Sequence, residues 1–265
     1  MEKWEEKRIL ILGKTYPSYS KKYTENACTG GLLGDTLEMI RLHPIPYRYL
    51  EEGNRFSAFQ WIRAKVTKHM SDPRPESYRI DDRDIKVEEV IPATEHRSRR
   101  RFLEKSPHLF RSLEELKDRQ QREETSLGIV QPKEVIGCYL EKKSERERQE
   151  WLEKEREVLS QEVLFGEKMK PIDFVDVRFK VKWRCDDDSC QGHDMALLQW
   201  GIHELYRKLK SDPACEEKII NAMSRQLDLE ERDVFFFLGS FRGVQYNFGL
   251  MDSYSPKRQV QPELF

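Results

Sequence analysis

Two thiols and an imidazole fall within nine residues in the run Cys185-Asp186-Asp187-Asp188-Ser189-Cys190-Gln191-Gly192-His193. The spacing, C-x4-C-x2-H, gathers sulfur and nitrogen donors at one turn, which is ligand chemistry for Zn2+. A closed structural site takes four ligands. The fourth would come from Cys28, Cys138, Cys215, His203 or Asp194. The competing reading is two buried thiols packing as small hydrophobes, with Asp194 capping a helix that starts after the turn. Paired C-x2-C knuckles are absent, as are the H-x-E and H-E-x-x-H elements of a catalytic zinc centre. The Asp186–Asp188 cluster is either a hard-cation site or a solvated acidic turn.

The segment feeding this turn carries a second kind of chemistry. Val175, Val177, Phe179, Val181 and Trp183 alternate with Asp176, Arg178, Lys180, Lys182 and Arg184. That pattern predicts a half-buried strand over 174–184 whose outer face is a row of cations. Such a row would neutralise successive phosphates of a nucleic acid, or pair with acidic neighbours. Other candidates for nucleic-acid contact are Arg63 and Lys65, on one face of a predicted strand over 59–68. Lys14, Lys21, Lys22 and Tyr23 belong to a loop that interleaves cations with Tyr16 and Tyr19. Aromatic rings between cations suit single strands, because bases stack while cations follow the backbone. Arg97-Ser98-Arg99-Arg100-Arg101 adds a dense basic cluster.

Two stiff, proline-bearing runs stand apart. Arg41-Leu42-His43-Pro44-Ile45-Pro46-Tyr47-Arg48 and Asp72-Pro73-Arg74-Pro75-Glu76-Ser77-Tyr78-Arg79 fit anion or base recognition, and equally Arg–carboxylate struts between loops. Cys28, near Lys21 and Lys22, is either a nucleophile with a lowered pKa or a packing residue.

Composition sets the limits within which these residues work. The chain has 265 residues, enough for one large domain or two small ones. Charged residues make up 36%, yet 47 basic and 48 acidic side chains leave a net charge of −1. A balanced excess implies solvated helices and ion pairs, so any basic surface is local. Five scattered cysteines are not a secreted disulfide framework. The charged start, Met1 to Arg8, has no apolar signal region, and the longest apolar run, Val234–Leu238, is far too short to span a bilayer. The expectation is a reduced, cytoplasmic protein.

Patterning predicts an α+β fold. Strands at 9–12, 36–42, 59–68 and 85–91, punctuated by Gly and Pro, imply a β-rich, barrel-like domain over residues 1–94. A charged helical segment follows over 95–170, with one or two strands at 127–140. A mixed unit over 171–250 holds the Cys/His turn between a strand and a helix, then a helix after Asp212-Pro213 and strands around Gly239 and Gly243. Residues 251–265 read as a polar tail.

That tail ends Gln261-Pro262-Glu263-Leu264-Phe265. It resembles the pentapeptide with which bacterial proteins dock on the replication sliding clamp, a Gln followed three and four residues later by Leu and Phe. The resemblance implies that Gln261, Leu264 and Phe265 would anchor the chain to such a clamp. Pro262 and Glu263 depart from the commoner residues, and Gln161-Glu162-Val163-Leu164-Phe165 matches the same loose pattern. The leading expectation is therefore a non-catalytic nucleic-acid-binding accessory protein of replication or repair. A metal-dependent enzyme acting on nucleic acid or nucleotides is the alternative, and a pure protein-interaction subunit the third.

Overall fold

The computed structural model describes residues 3–19, 25, 27–160, 170–241, 243, 244 and 246–258. The first six strands are β1 (Glu5–Lys14), β2 (Ala27–Leu33), β3 (Met39–Ile45), β4 (Gln60–Lys68), β5 (Ser77–Ile80) and β6 (Lys86–Val90). They form one sheet in the order β1-β2-β3-β5-β4-β6. Antiparallel pairing of β1 with β4, from Glu5↔Val66 to Leu10↔Trp61, closes five of them into a barrel. The barrel-like N-terminal expectation is met, although the strand predicted at 36–42 is displaced to β3. Residues 34–36 form the turn instead.

The second sheet holds β7 (Leu109–Phe110), β8 (Leu127–Val130), β9 (Pro132–Lys142), β10 (Val177–Cys185), β11 (His193–Leu197), β12 (Phe235–Ser240) and β13 (Phe248–Tyr254). Its order is β7-β8-β12-β13-β11-β10-β9. The helices are α1 (His96–Glu104), α2 (Leu113–Glu123), α3 (Glu145–Leu159), α4 (Trp200–Leu209) and α5 (Cys215–Gln226). Ser112 caps α2 through the Glu115 N–H, and Ser144 with Glu147 forms a reciprocal capping box on α3. These caps satisfy donors that the first helical turn leaves open.

Three sequence expectations need correction. The stretch 95–170 is not a helical unit of its own, because β7, β8 and β9 are built into the second sheet. The Cys/His turn joins two strands, β10 and β11, and Asp194 lies on β11 rather than capping a helix. Residues 251–254 belong to β13, so the tail begins later than expected.

The two sheets share one core. Leu10, Leu12, Phe59 and Trp61 of the barrel region pack with Leu127, Ile129, Phe235, Phe237 and Met251 of the second sheet. Thr15 bridges to Gln199, and the Tyr16 N–H donates to the Leu198 carbonyl. Burying large apolar side chains across this junction, each worth about 1.5–3 kcal/mol, holds the two sheets together. No helix among the described residues is long and apolar enough to cross a membrane.

Candidate functional site

Strand β10 delivers Cys185 at its end, buried, and the hairpin returns through Cys190 to His193 at the start of β11. Helix α2 brings Glu114 to the same point. The Cys185 Sγ lies 3.1 Å from Glu114 Oε2 and 3.3 Å from His193 Nε2. Cys190 Sγ is also 3.3 Å from His193 Nε2, and Nε2 is 3.8 Å from Glu114 Oε2. Ligands at the usual zinc bond lengths define a tetrahedron with edges of about 3.3–3.8 Å, so these separations suit four donors around one ion. The fourth group is thus Glu114, and none of Cys28, Cys138, Cys215, His203 and Asp194. Glu114 was hidden in the sequence because it is 71 residues from Cys185 and sits in an ordinary charged helix. Burial, with Glu114 alongside, pushes the Cys185 thiol up to about 12, and a cation would reverse that penalty. Asp186 instead pairs with Lys133 and Arg111, and Asp187 accepts from Ser189.

The cation row on β10 projects outward as the alternation predicts, but three of its four charges are matched. Arg178 pairs with Glu141 on β9 and Glu147 on α3. Lys180 lies 3.2 Å from Asp194 on β11, and Arg184 lies 3.8 Å from Glu134 on β9. Lys182 rests against the Tyr139 ring. The register of β9 and β11 against β10 sets a carboxylate beside three of the four cations. Arg63 pairs with Glu88 and Glu6, and Lys65 with Asp84. In the basic cluster of α1, Arg99 donates to the Ile91 carbonyl and Arg100 pairs with Glu104 and Asp233. Lys14 is mostly buried, its Nζ 3.2 Å from the Tyr47 ring centroid, rather than offered to a strand. Lys21, Lys22, Tyr23, Gln261, Leu264 and Phe265 lie outside the described residues, as does the internal match at 161–165.

A different constellation forms where the sheets meet. A cavity of about 510 Å3 is lined by Cys28, Arg41, His43, His69, Ser71, Asp72 and Arg74 from the barrel side. Its other wall carries Tyr16, Lys143, Trp151, His203, Ser240 and Phe241. Arg41 is the central group. It is 1% exposed, and its Nη2 donates to the Ser126 carbonyl at 3.0 Å. Its Nε and Nη1 have no hydrogen-bond partner. A Cβ at Gly239 would stand 2.5 Å from Met251 Sδ and 3.2 Å from Arg41 Nη2, so the glycine leaves room chiefly for Met251 and also for Arg41.

The nearby carboxylates are already engaged. Asp72 takes Nε and Nη2 of Arg74, whose Nη1 donates to the Ser240 carbonyl. Burial alone would raise the Asp72 carboxyl, but the Arg74 guanidinium holds it well below the usual range. Glu76 accepts from the Ser126 N–H and Oγ–H. Burial lowers the Arg41 pKa and raises that of Cys28, with Arg41 pulling the thiol partly back. Burial, helped by His69, Arg74 and Arg41, holds His43 down at about 4. Burial is the first cause of the Arg41, Cys28 and His43 shifts and favours the uncharged form of each, and the positive charges of Arg74 and Arg41 add to it at His43.

Residues 109–265 match the family described as Domain of unknown function (DUF8757), and residues 5–105 match Domain of unknown function (DUF8758). The first of these matches spans more than half of the chain. The chain belongs to the DUF8757 family. The DUF8757 region holds all four residues of the Glu114, Cys185, Cys190 and His193 group and one side of the cavity, while Arg41, His43, His69 and Arg74 come from the DUF8758 region. Nothing among curated proteins matches the chain.

Both proline-bearing runs converge on the cavity, contributing Arg41, His43, Asp72 and Arg74. Cys28 is there too, but it lies beside Arg41. His69 and Ser71 had no sequence signal beyond proximity to the second run. Tyr16 was read as a base-stacking residue; its ring instead stacks on His203, with centroids 4.8 Å apart and an interplanar angle of 9°.

Proposed function

We propose that the chain binds a small phosphate-bearing ligand of the nucleotide class in the cavity between the sheets. The observation that carries this reading is Arg41, a buried guanidinium with two nitrogens unpaired by hydrogen bonds, in a cavity where Asp72 is spent on Arg74 and near a Glu76 that is spent on Ser126. A buried charge without a partner is costly, and a planar guanidinium is shaped to grip a phosphate. Arg74, Lys143 and the two histidines add cationic or hydrogen-bonding character, while Trp151 and Phe241 offer apolar surface for a base. Calorimetric titration with inorganic phosphate, AMP and short oligonucleotides tests the reading. Saturable phosphate and AMP binding is expected, and loss of it in Arg41→Met. A wild-type protein that binds none of them overturns it.

We also propose that the cluster of Glu114, Cys185, Cys190 and His193 holds a structural Zn2+. Two sulfurs, an imidazole and a carboxylate are a donor set suited to zinc, and four protein ligands leave no open position for substrate. Bound there, the ion would tie α2 to the β10–β11 hairpin. Metal analysis of purified protein should give one zinc per chain, and Cys190→Ser should lose it and lower the melting temperature. Protein from zinc-supplemented culture that carries no metal sinks this part.

A further inference from the structure

We infer that His43 and His69 form a proton-transfer pair that cleaves a P–O bond in a phosphodiester held by Arg41. The inference rests on the phosphate-site reading above and adds a reaction to it. The two imidazoles come from different segments, His43 from β3 and His69 from the turn after β4, and their ring centroids stand 5.7 Å apart. Both line the same cavity as the Arg41 and Arg74 guanidiniums. Fixed backbone holds each in place. The His69 N–H donates to the Ser77 carbonyl, its own carbonyl accepts from Asp72 N–H, and Ser71 Oγ lies 3.3 Å from its Nδ1. His43 is carried by a strand paired on both sides, to β2 and β5.

Two imidazoles facing one anion are the minimal equipment for general acid–base catalysis of phosphoryl transfer. The step balances without a further reactant. Water oxygen forms a bond to phosphorus, and its proton passes to His43. His69 enters as the imidazolium; the ester P–O bond breaks, its electron pair stays on the leaving oxygen, that oxygen takes the His69 proton, and proton exchange with solvent then returns both imidazoles to their starting state. Diester and water become monoester and alcohol. The charged groups that act on His43, besides His69, are Arg74, Asp72 and Arg41, and Lys143 and Cys28 line the same cavity. Arg41 would hold the non-bridging oxygens, where charge builds in the transition state, with the Asp72-paired Arg74 beside it. The cationic surroundings and burial keep His43 neutral, the state an acceptor needs. A bound phosphate would raise its basicity.

The test uses the full chain with bis(4-nitrophenyl) phosphate and a set of dinucleoside monophosphates, while calorimetry follows inorganic phosphate in parallel. Wild-type turnover is expected. His43→Gln and His69→Gln should each lose at least about 100-fold in rate, as removal of an acid or base does, and keep phosphate affinity within about tenfold. The double variant should be little slower than either single one, since the pair acts as a unit. A wild-type protein that binds phosphate but cleaves none of these diesters overturns the inference and leaves the binding reading standing. One that binds no phosphate removes both. Should His69→Gln fail to fold, His43→Gln and the wild-type pH profile decide: a bell with two limbs supports the pair, and a flat profile sinks it.

Discussion

The outer face of β10 and the cavity between the sheets both collect cations, and they differ in what stands opposite. On β10, Arg178, Lys180 and Arg184 each meet a carboxylate from β9, β11 or α3, at partly exposed positions. In the cavity, Arg41 is buried, Asp72 is committed to Arg74, and nearby Glu76 is committed to Ser126. Exposed, paired charges are worth little to each other and offer little to a ligand. A desolvated, under-paired charge is a strong attractor. Counting basic residues would rank β10 first; counting their partners ranks the cavity first.

Four measurements break or sharpen this contrast. The largest effect is expected from Arg74→Gln, which strands the buried Asp72 carboxylate and should cost about 3–5 kcal/mol in urea unfolding. Adding Asp72→Asn should recover most of that loss; if the double variant is no better, Arg74 is not serving Asp72. Next comes Arg41→Met, for which phosphate affinity should fall at least about 100-fold, roughly 2.7 kcal/mol. The unliganded protein should stay as stable as wild type, because an unpaired buried charge has been removed.

Third is the dependence on pH. Burial holds His43 and His203 at about 4 in the folded chain. Between about 4 and 6.5 the unfolded chain binds more protons at these residues, so they make stability fall as pH falls. Asp252, which burial pushes up to about 7, acts in the opposite sense from about 4 to 7. The difference between variants isolates the histidine part. His203→Gln should reduce the slope of unfolding free energy against pH by up to one proton, about 1.4 kcal/mol per pH unit. An unchanged slope would mean that His203 titrates normally. The smallest effect is expected from replacing Arg178, Lys180, Lys182 and Arg184 together by Gln. Each pair should cost less than about 1 kcal/mol, and phosphate affinity should not move. A large loss of phosphate or oligonucleotide binding in that variant would return the functional surface to β10.

What could be read beforehand follows from range along the chain. The alternation from Val177 to Trp183 specified the strand and its outward cations, because side chains on a strand alternate faces whatever the partner. Cys185, Cys190 and His193 were legible as one group because a short turn must bring them together. Glu114 was not, since it arrives from a helix 71 residues away. Asp194 looked like a helix cap and is a strand residue, where it accepts from Tyr139 and pairs with Lys180. A short polar residue before an apolar run carries both meanings until the sheet is assembled.

By itself, then, the amino-acid order determined three strands of the first sheet (β1, β4 and β6), the two-faced β10, the Cys/His turn and the two rigid Arg/Pro runs. All of these depend on bond geometry and neighbours a few residues apart. Only the tertiary structure decided that the halves share a core, that Glu114 completes the cluster, and that β9 and β11 neutralise the β10 cations. It alone brought Arg41, His43, His69 and Arg74 around one cavity. Those outcomes turn on sheet register and on which carboxylate reaches which cation, and burial then sets whether a charge is quiet or reactive.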